Sequence, residues 1–306
     1  MPGQSHQGPL PPLTDEQRVL EQELHSHVQT LAGRIGERNI YHHERLTMAA
    51  DYIRTTLAGA GYEVNRQPYE VAGKICENLE AEVRGSRRPD DIIVIGAHYD
   101  SVRGSPGAND NASGVAATLA LARAFAKTQP AHTLRFVAFT NEEPPLFQTT
   151  EMGSRVYAKR SRERGDKIVL MLSLETIGCY SDEPGSQHLL FPLNLIYPSI
   201  GNFIAFVSNV ENRFLVQQLV GSFRQQAQFP SEGGALWELI PGVGWSDHWA
   251  FWKEGFPAVM VTDTALFRYP AYHSNADRPE FVQYERMARV VSGLHSVIAE
   301  MANKQT

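Results

Sequence analysis

Cysteine is nearly absent from this chain of 306 residues: only Cys76 and Cys179 occur, far apart and outside any CxxC spacing. That argues against a disulfide framework and a thiolate zinc site, and leaves two reduced, buried thiols as the expectation. Excess positive charge is missing too. The 28 Lys and Arg stand against 34 Asp and Glu, for a formal net charge of −6 and a pI near 6.0, which speaks against a nucleic-acid partner because that binding relies on clustered cations. The densest basic stretch, Lys159 to Arg164, is interrupted by Ser161 and Glu163 and reads as a solvated helix face. No apolar run approaches the roughly 20 residues that span a bilayer, and the N-terminus lacks the charged-then-apolar order of a signal peptide. A membrane partner is therefore not expected, and the chain as written is expected to be cytoplasmic, or secreted if its N-terminus was trimmed.

What is present is an ordinary globular composition, 42% hydrophobic and 20% charged. Residues 1–13 (MPGQSHQGPLPPL) have little to bury and are expected to form a mobile tail, with the catalytic domain over 14–306 beginning where Thr14 can cap a helix. Helical spacing follows over Leu20 to Leu31 and Leu46 to Leu57, where Gly61 supplies a stop. Ile92-Ile93-Val94-Ile95-Gly96-Ala97 is the pattern of a strand buried on both faces, and Leu134 to Phe139 resembles it. Small aliphatic residues over Ser113 to Lys127 predict a helix packed closely between them, so strand, helix and strand alternate. Further strand-like runs lie at Leu79 to Val83, Ile168 to Leu174 and Ala258 to Thr262, and Gln283 to Ala302 is helical in period. The stretch from Cys179 to Val243, with five prolines, suggests loops around one helix near Arg213 to Gln226. Together these predict one α/β domain: a twisted, mostly parallel, mixed sheet with helices on both faces.

Five places carry groups suited to hydrolytic metal chemistry, which needs O or N ligands, an open position and a carboxylate for the proton. Each follows a predicted strand, where open α/β sheets place their ligand sites. His98-Tyr99-Asp100 comes directly after Ala97. A lone histidine there is most often a core or loop residue, but an acid two positions on faces the same way and can hold the imidazole. Asp110, in GANDNASG, lies close to a helix start, a place suited to a carboxylate bridging two cations. Adjacent glutamates usually mark solvated surface, yet Glu142 and Glu143 follow a buried strand and could divide metal binding and proton transfer between them. Glu175 ends an apolar run, where an acid is costly unless paired. His273 lies within Tyr272-His273-Ser274-Asn275-Ala276-Asp277. Taken together, two histidines and four carboxylates suffice for two cations sharing one carboxylate.

The strings AHYDS, GANDNASG, NEE followed by MGS, SDHWAFW and YHSNAD resemble the co-catalytic zinc aminopeptidases, whose relatives include glutamate carboxypeptidase and glutaminyl cyclase. The likeness runs over roughly residues 20 to 300. It implies two Zn2+ ions, with His98 and Glu175 on one, Glu143 and His273 on the other, and Asp110 between them. It also implies that Glu142 is the general base, that Asp100 orients His98 and that Tyr272 helps stabilise an oxyanion. Glu175 departs from the aspartate many aminopeptidases carry there, which implies a differently chelated ion. The expected activity is exopeptidase cleavage of a peptide with a free terminus, of the aminopeptidase type. Two other readings stay open: a one-zinc acyltransferase resembling glutaminyl cyclase, and a non-catalytic binding protein of the same fold. Ser246-Asp247-His248 suggests a triad fragment, but no GxSxG elbow accompanies it, and His248 is expected behind the site or lining its pocket. His42-His43 reads as solvated.

Overall fold

A computed structural model describes residues 1–304. Thr14 caps α1 (Asp15–Val28) as its position suggests: the hydroxyl accepts from the Gln17 N–H at 3.2 Å, while Gln17 Oε1 accepts from the Thr14 N–H at 3.1 Å. Then follow α2 (His43–Gly59), the hairpin strands β1 (Val64–Val71) and β2 (Lys74–Val83), and β3 (Arg88–His98). The next elements are α3 (Gly114–Phe125), β4 (His132–Phe139), α4 (Gly153–Arg164) and β5 (Lys167–Glu175). The chain closes with β6 (Ile204–Asn209), α5 (Arg213–Gln226), β7 (Ser231–Leu236), α6 (His248–Lys253), β8 (Ala258–Thr262) and α7 (Tyr284–Asn303).

The eight strands form one mixed sheet in the order β1-β2-β4-β3-β5-β8-β6-β7. Strands β4, β3, β5 and β8 are parallel neighbours, whereas β2 joins β4, and β6 joins β8, antiparallel. Alternation along β3 divides the core. Ile93 and Ile95 pack on the face carrying α1, α2, α3, α5 and α7, while Ile92 and Val94 pack on the face under α4 and α6. Both faces of the central strands are thus dry, which is why their sequences are nearly continuous aliphatic runs.

Three features differ from the sequence expectation or extend it. The stretch 179–243 contains two strands, β6 and β7, as well as the expected α5; β7 reads SEGGAL, and its paired glycines mask a strand whose backbone is nevertheless fully laddered to β6. Cys76 is buried, but Cys179 is only half-buried, and both are free thiols. Residues of the 1–13 segment run along α5 and β7, where Arg224 donates to the Pro2 and Gly3 carbonyls at 3.3 and 3.1 Å and the Ser231 N–H donates to Ser5 Oγ at 2.8 Å. Among the described residues no helix is long and apolar enough to cross a membrane.

Candidate active site

His98 is the last residue of β3 and Glu175 the last of β5, so two neighbouring parallel strands deliver them to the same end of the sheet. Glu142 and Glu143 follow β4 by three and four residues, and Asp110 and His273 lie in the loops after β3 and β8. All six expected residues therefore converge at the carboxyl ends of the parallel strands. Five are buried, and His273, with a third of its side chain exposed, marks the solvent side.

Asp110 stands between the two histidines. Its Oδ1 lies 3.4 Å from His98 Nε2, and its Oδ2 lies 3.1 Å from His273 Nε2. Glu175 Oε2 approaches His98 Nε2 to 3.2 Å, while Glu143 Oε2 approaches His273 Nε2 to 3.4 Å. Glu142 Oε2 stands farther back, 3.8 Å from His98. Among the described residues the ion pairs of these four acids are all to the two histidines, and Asp110 Oδ2 lacks hydrogen-bond geometry despite its short approach. Oxygen and nitrogen atoms that face one another closely without a proper hydrogen bond suit a shared cation, and the chemistry of the set, imidazole with carboxylate, suits zinc.

The electrostatics agree with that fit. Burial raises Glu142 and Glu143 well above the usual carboxylate range, with neighbouring acids adding to the effect, and burial likewise raises Glu175. His98 is raised well above an ordinary imidazole because Glu175, Glu142 and their neighbours outweigh its burial. Against the cost of its own burial, Asp110 is held low by His273 and His98. So dense a group of desolvated acids is strained by mutual repulsion, which a bound cation relieves.

Asp100 does more than face His98. Its Oδ1 lies 3.5 Å from His98 Nδ1, beyond a good hydrogen bond, while Oδ1 and Oδ2 accept from the backbone N–H groups of Glu142 and Glu143 at 3.0 and 3.1 Å. One buried carboxylate thus fixes the peptide that carries both glutamates. Ser246 holds Glu175, donating to Oε2 at 2.7 Å, and itself meets Ser173 Oγ at 2.8 Å. The triad reading of 246–248 does not survive this geometry, because His248 turns to the Val243 carbonyl at 2.7 Å and packs edge-on to Trp252. It sits one layer behind the cavity wall, neutral, with burial holding it down to about 4. Tyr272 stacks on the His273 ring, with centroids 3.9 Å apart, and lines the adjoining cavity together with Glu175. His43, in the pair expected to be solvated, donates from Nε2 to the Ile75 carbonyl at 2.8 Å from a half-exposed position.

Several positioning groups carry little sequence signal. Arg38 is fully buried and donates to five carbonyls, those of Tyr99, Pro106 and Gly107 at 2.6, 2.6 and 2.9 Å and those of Gly36 and Leu31 at 3.3 and 3.4 Å. Asn111 latches the Asp110 loop to β5 by donating to the Leu174 carbonyl at 2.8 Å. Gly114 permits that approach: a Cβ there would meet the Leu174 carbonyl oxygen at 2.1 Å.

Beside the acids opens a cavity of about 820 Å3 including its mouth. Its floor is the sheet itself. Thr262, Ala205 and Glu232 form one row across β8, β6 and β7, continuing from Glu175, and Met260, Val207 and Gly234 form the next. Leu193, Tyr197, Phe203 and Phe267 wall it. The lining is predominantly apolar, and its one distal carboxylate, Glu232, has Arg224 Nη2 at 3.5 Å.

Comparison with known proteins is consistent with the geometry. YfbL, an uncharacterised protein of Escherichia coli K12, is 35% identical over 286 residues, covering 90% of this chain and 87% of that protein. A zinc aminopeptidase of Bacillus subtilis superposes with a TM-score of 0.74 at 16% identity, covering 93% of this chain and 95% of that one. A glutaminyl cyclase of Fimbriiglobus ruber superposes at 0.67 and 20% identity, with 96% and 97% covered. The profile of peptidase family M28 matches residues 78–298, and the chain belongs to that family.

Proposed function

We propose that this chain is a zinc-dependent aminopeptidase that works with two ions. The observation that carries the reading is the split of Asp110, one carboxylate oxygen toward His98 and the other toward His273. His98 and Glu175 would hold one ion, Glu143 and His273 the other, and Asp110 would serve both. Zinc bound there supplies Lewis-acid activation of a water and of the scissile carbonyl.

The chain's own residues do the rest. Glu142, set back from the histidines, accepts the proton of the attacking water on its carboxylate and returns it to the leaving amine, so that one group serves as base and then acid. Asp100 fixes the direction of that carboxylate through the peptide bonds on either side of Glu142. The Tyr272 hydroxyl, kept protonated by burial, would donate to the developing oxyanion. The apolar cavity receives the side chain of the substrate's first residue and excludes water around it.

Hydrolysis of amino-acid p-nitroanilides tests the reading. Leucine, methionine and phenylalanine substrates should be cleaved, activity should vanish with a chelator and return with zinc, and metal analysis should find two equivalents. A glutaminyl substrate that cyclises instead, with one bound zinc, would assign the acyltransferase activity that the shared fold also accommodates. Metal binding without turnover of any free N-terminus would assign a binding protein.

A further inference from the structure

Asp277 stands four residues after His273 and is fully buried. Its Oδ1 accepts from the Asn109 N–H at 2.8 Å and from the Tyr269 hydroxyl at 2.9 Å, and its Oδ2 accepts from the Asp110 N–H at 3.0 Å. Its backbone carbonyl accepts from the Ala108 N–H at 3.2 Å. Three consecutive N–H groups of the loop that ends in Asp110 are therefore gripped by one residue of the turn that carries His273.

The remaining residues of the site are held in other ways. His98 and Glu175 belong to the ladders of β3 and β5. Glu143 is fixed through its N–H by Asp100 and at Oε1 by the Val102 N–H at 3.1 Å. His273, by contrast, sits in an open turn with φ of 54°, a conformation costly to a residue with a Cβ and kept only where the surroundings impose it. Of the groups around the Glu143 and His273 position, Asp110 is held by Asp277 through its N–H, and His273 lies in the same turn as Asp277.

We propose that Asp277 is a positioning residue that makes the Asp110 loop and the His273 turn one unit, and thereby sets the affinity of the Glu143–His273 ion position far more strongly than that of the His98–Glu175 position, which shares only Asp110 with it. This inference rests on the two-ion reading above. A carboxylate is required because only an acceptor on both oxygens satisfies two N–H groups and a hydroxyl at once; an amide would turn donors toward donors.

Zinc titration of metal-free protein against a chromogenic chelator tests it, with circular dichroism recorded on the same samples. Wild type should bind two ions. Asp277→Asn should keep one ion within about threefold of the wild-type affinity and weaken the other by roughly 10- to 100-fold, the range found when groups orienting metal ligands are removed. Tyr269→Phe, which deletes one of the three donors to the Asp277 carboxylate and no ligand, should weaken the same ion by about threefold. It decides the matter should Asp277→Asn fail to fold. Folded Asp277→Asn with both affinities unchanged, or with both lowered alike, overturns the inference, as does Tyr269→Phe without a selective effect. Wild type binding a single ion overturns the two-ion reading itself, which separates that failure from this one.

Discussion

Arg38→Met should destabilise the protein by about 3–5 kcal/mol, although Arg38 touches none of the six residues at the site. The three shortest of its hydrogen bonds reach Tyr99, which lies between His98 and Asp100, and Pro106 and Gly107, which lead into Asp110. A hydrogen bond from a charged donor is worth roughly 1.5–3 kcal/mol, so three would lose about 5–9 kcal/mol if nothing compensated. Compensation exists, because removing a buried cation also removes its desolvation cost of several kcal/mol, and methionine fills most of the space. That cost is visible in the guanidinium itself, which burial draws down to about 10 although Asp100 and Asp277 act the other way. What remains is the penalty of unpaired buried carbonyls, near the 3–5 kcal/mol typical of deleting one partner of a buried charged contact. Urea unfolding of zinc-loaded protein measures it as a lower midpoint at an unchanged slope. Arg38→Lys should recover less than half of the loss, since an ammonium offers three donors from one point and cannot span carbonyls on three separate segments. A loss under about 1 kcal/mol for the methionine variant, or full rescue by lysine, would refute this account of the loop's anchorage.

Glu142→Gln should keep both ions and near-native stability while kcat falls by roughly 100-fold or more, whereas Glu143→Gln should first weaken metal binding and regain part of its activity in added zinc; the opposite pattern reverses the two roles. Gly234→Val places a side chain where a Cβ already meets the Tyr197 hydroxyl at 3.1 Å and Leu236 Cδ1 at 3.3 Å, inside the cavity. Its kcat/KM for phenylalanine p-nitroanilide should fall by about 10-fold or more with alanine p-nitroanilide changed far less, the scale on which a methylene matters in a pocket; an equal fall for both would mean the cavity does not receive the side chain. Metal-free protein should lose stability as pH rises from about 6.5 to 8. Burial pushes the Asp247 and Asp263 carboxyls up to about 7, against about 3.9 in an unfolded chain, so the folded state holds the extra protons in this window and rising pH takes them away. His248, held down near 4, acts in the opposite sense, but mostly below about 6.5, the pH at which an unfolded histidine is half charged, so it offsets only a small part of the change in this window. A higher urea midpoint at pH 8 than at pH 6.5 in excess chelator would contradict this.

The central strands, and the two site residues at which they end, were legible in sequence for one physical reason. A strand dry on both faces must be aliphatic throughout, so the polar residue at which it stops is conspicuous, as His98 and Glu175 are. The family likeness then added the other four residues and an expected division of labour between Glu142 and Glu143. Strand β7 was not legible, because Gly233 and Gly234 resemble a turn until β6 is seen to pair with them. Arg38 and Asp277 were missed as site-builders because their partners, the Tyr269 hydroxyl apart, are main-chain carbonyls and N–H groups, which leave no trace in residue types. Asp100 was expected to serve His98, and its firmer bonds go instead to the peptide groups after β4, another main-chain contact that spacing does not reveal.

The reversal of strand direction between β8 and β6 divides the labour of this sheet. Five of the six site residues lie on or after the parallel strands β3, β4 and β5, and the sixth follows β8, whereas much of the cavity floor belongs to β6 and β7, which contribute none. Substitutions in those two outer strands can therefore reshape what the cavity admits without moving a residue of the acid cluster. A scaffold arranged in this way can change its preferences by drift in one half while the other stays under constraint, and the same boundary marks where an engineer should randomise and where to leave the chain alone.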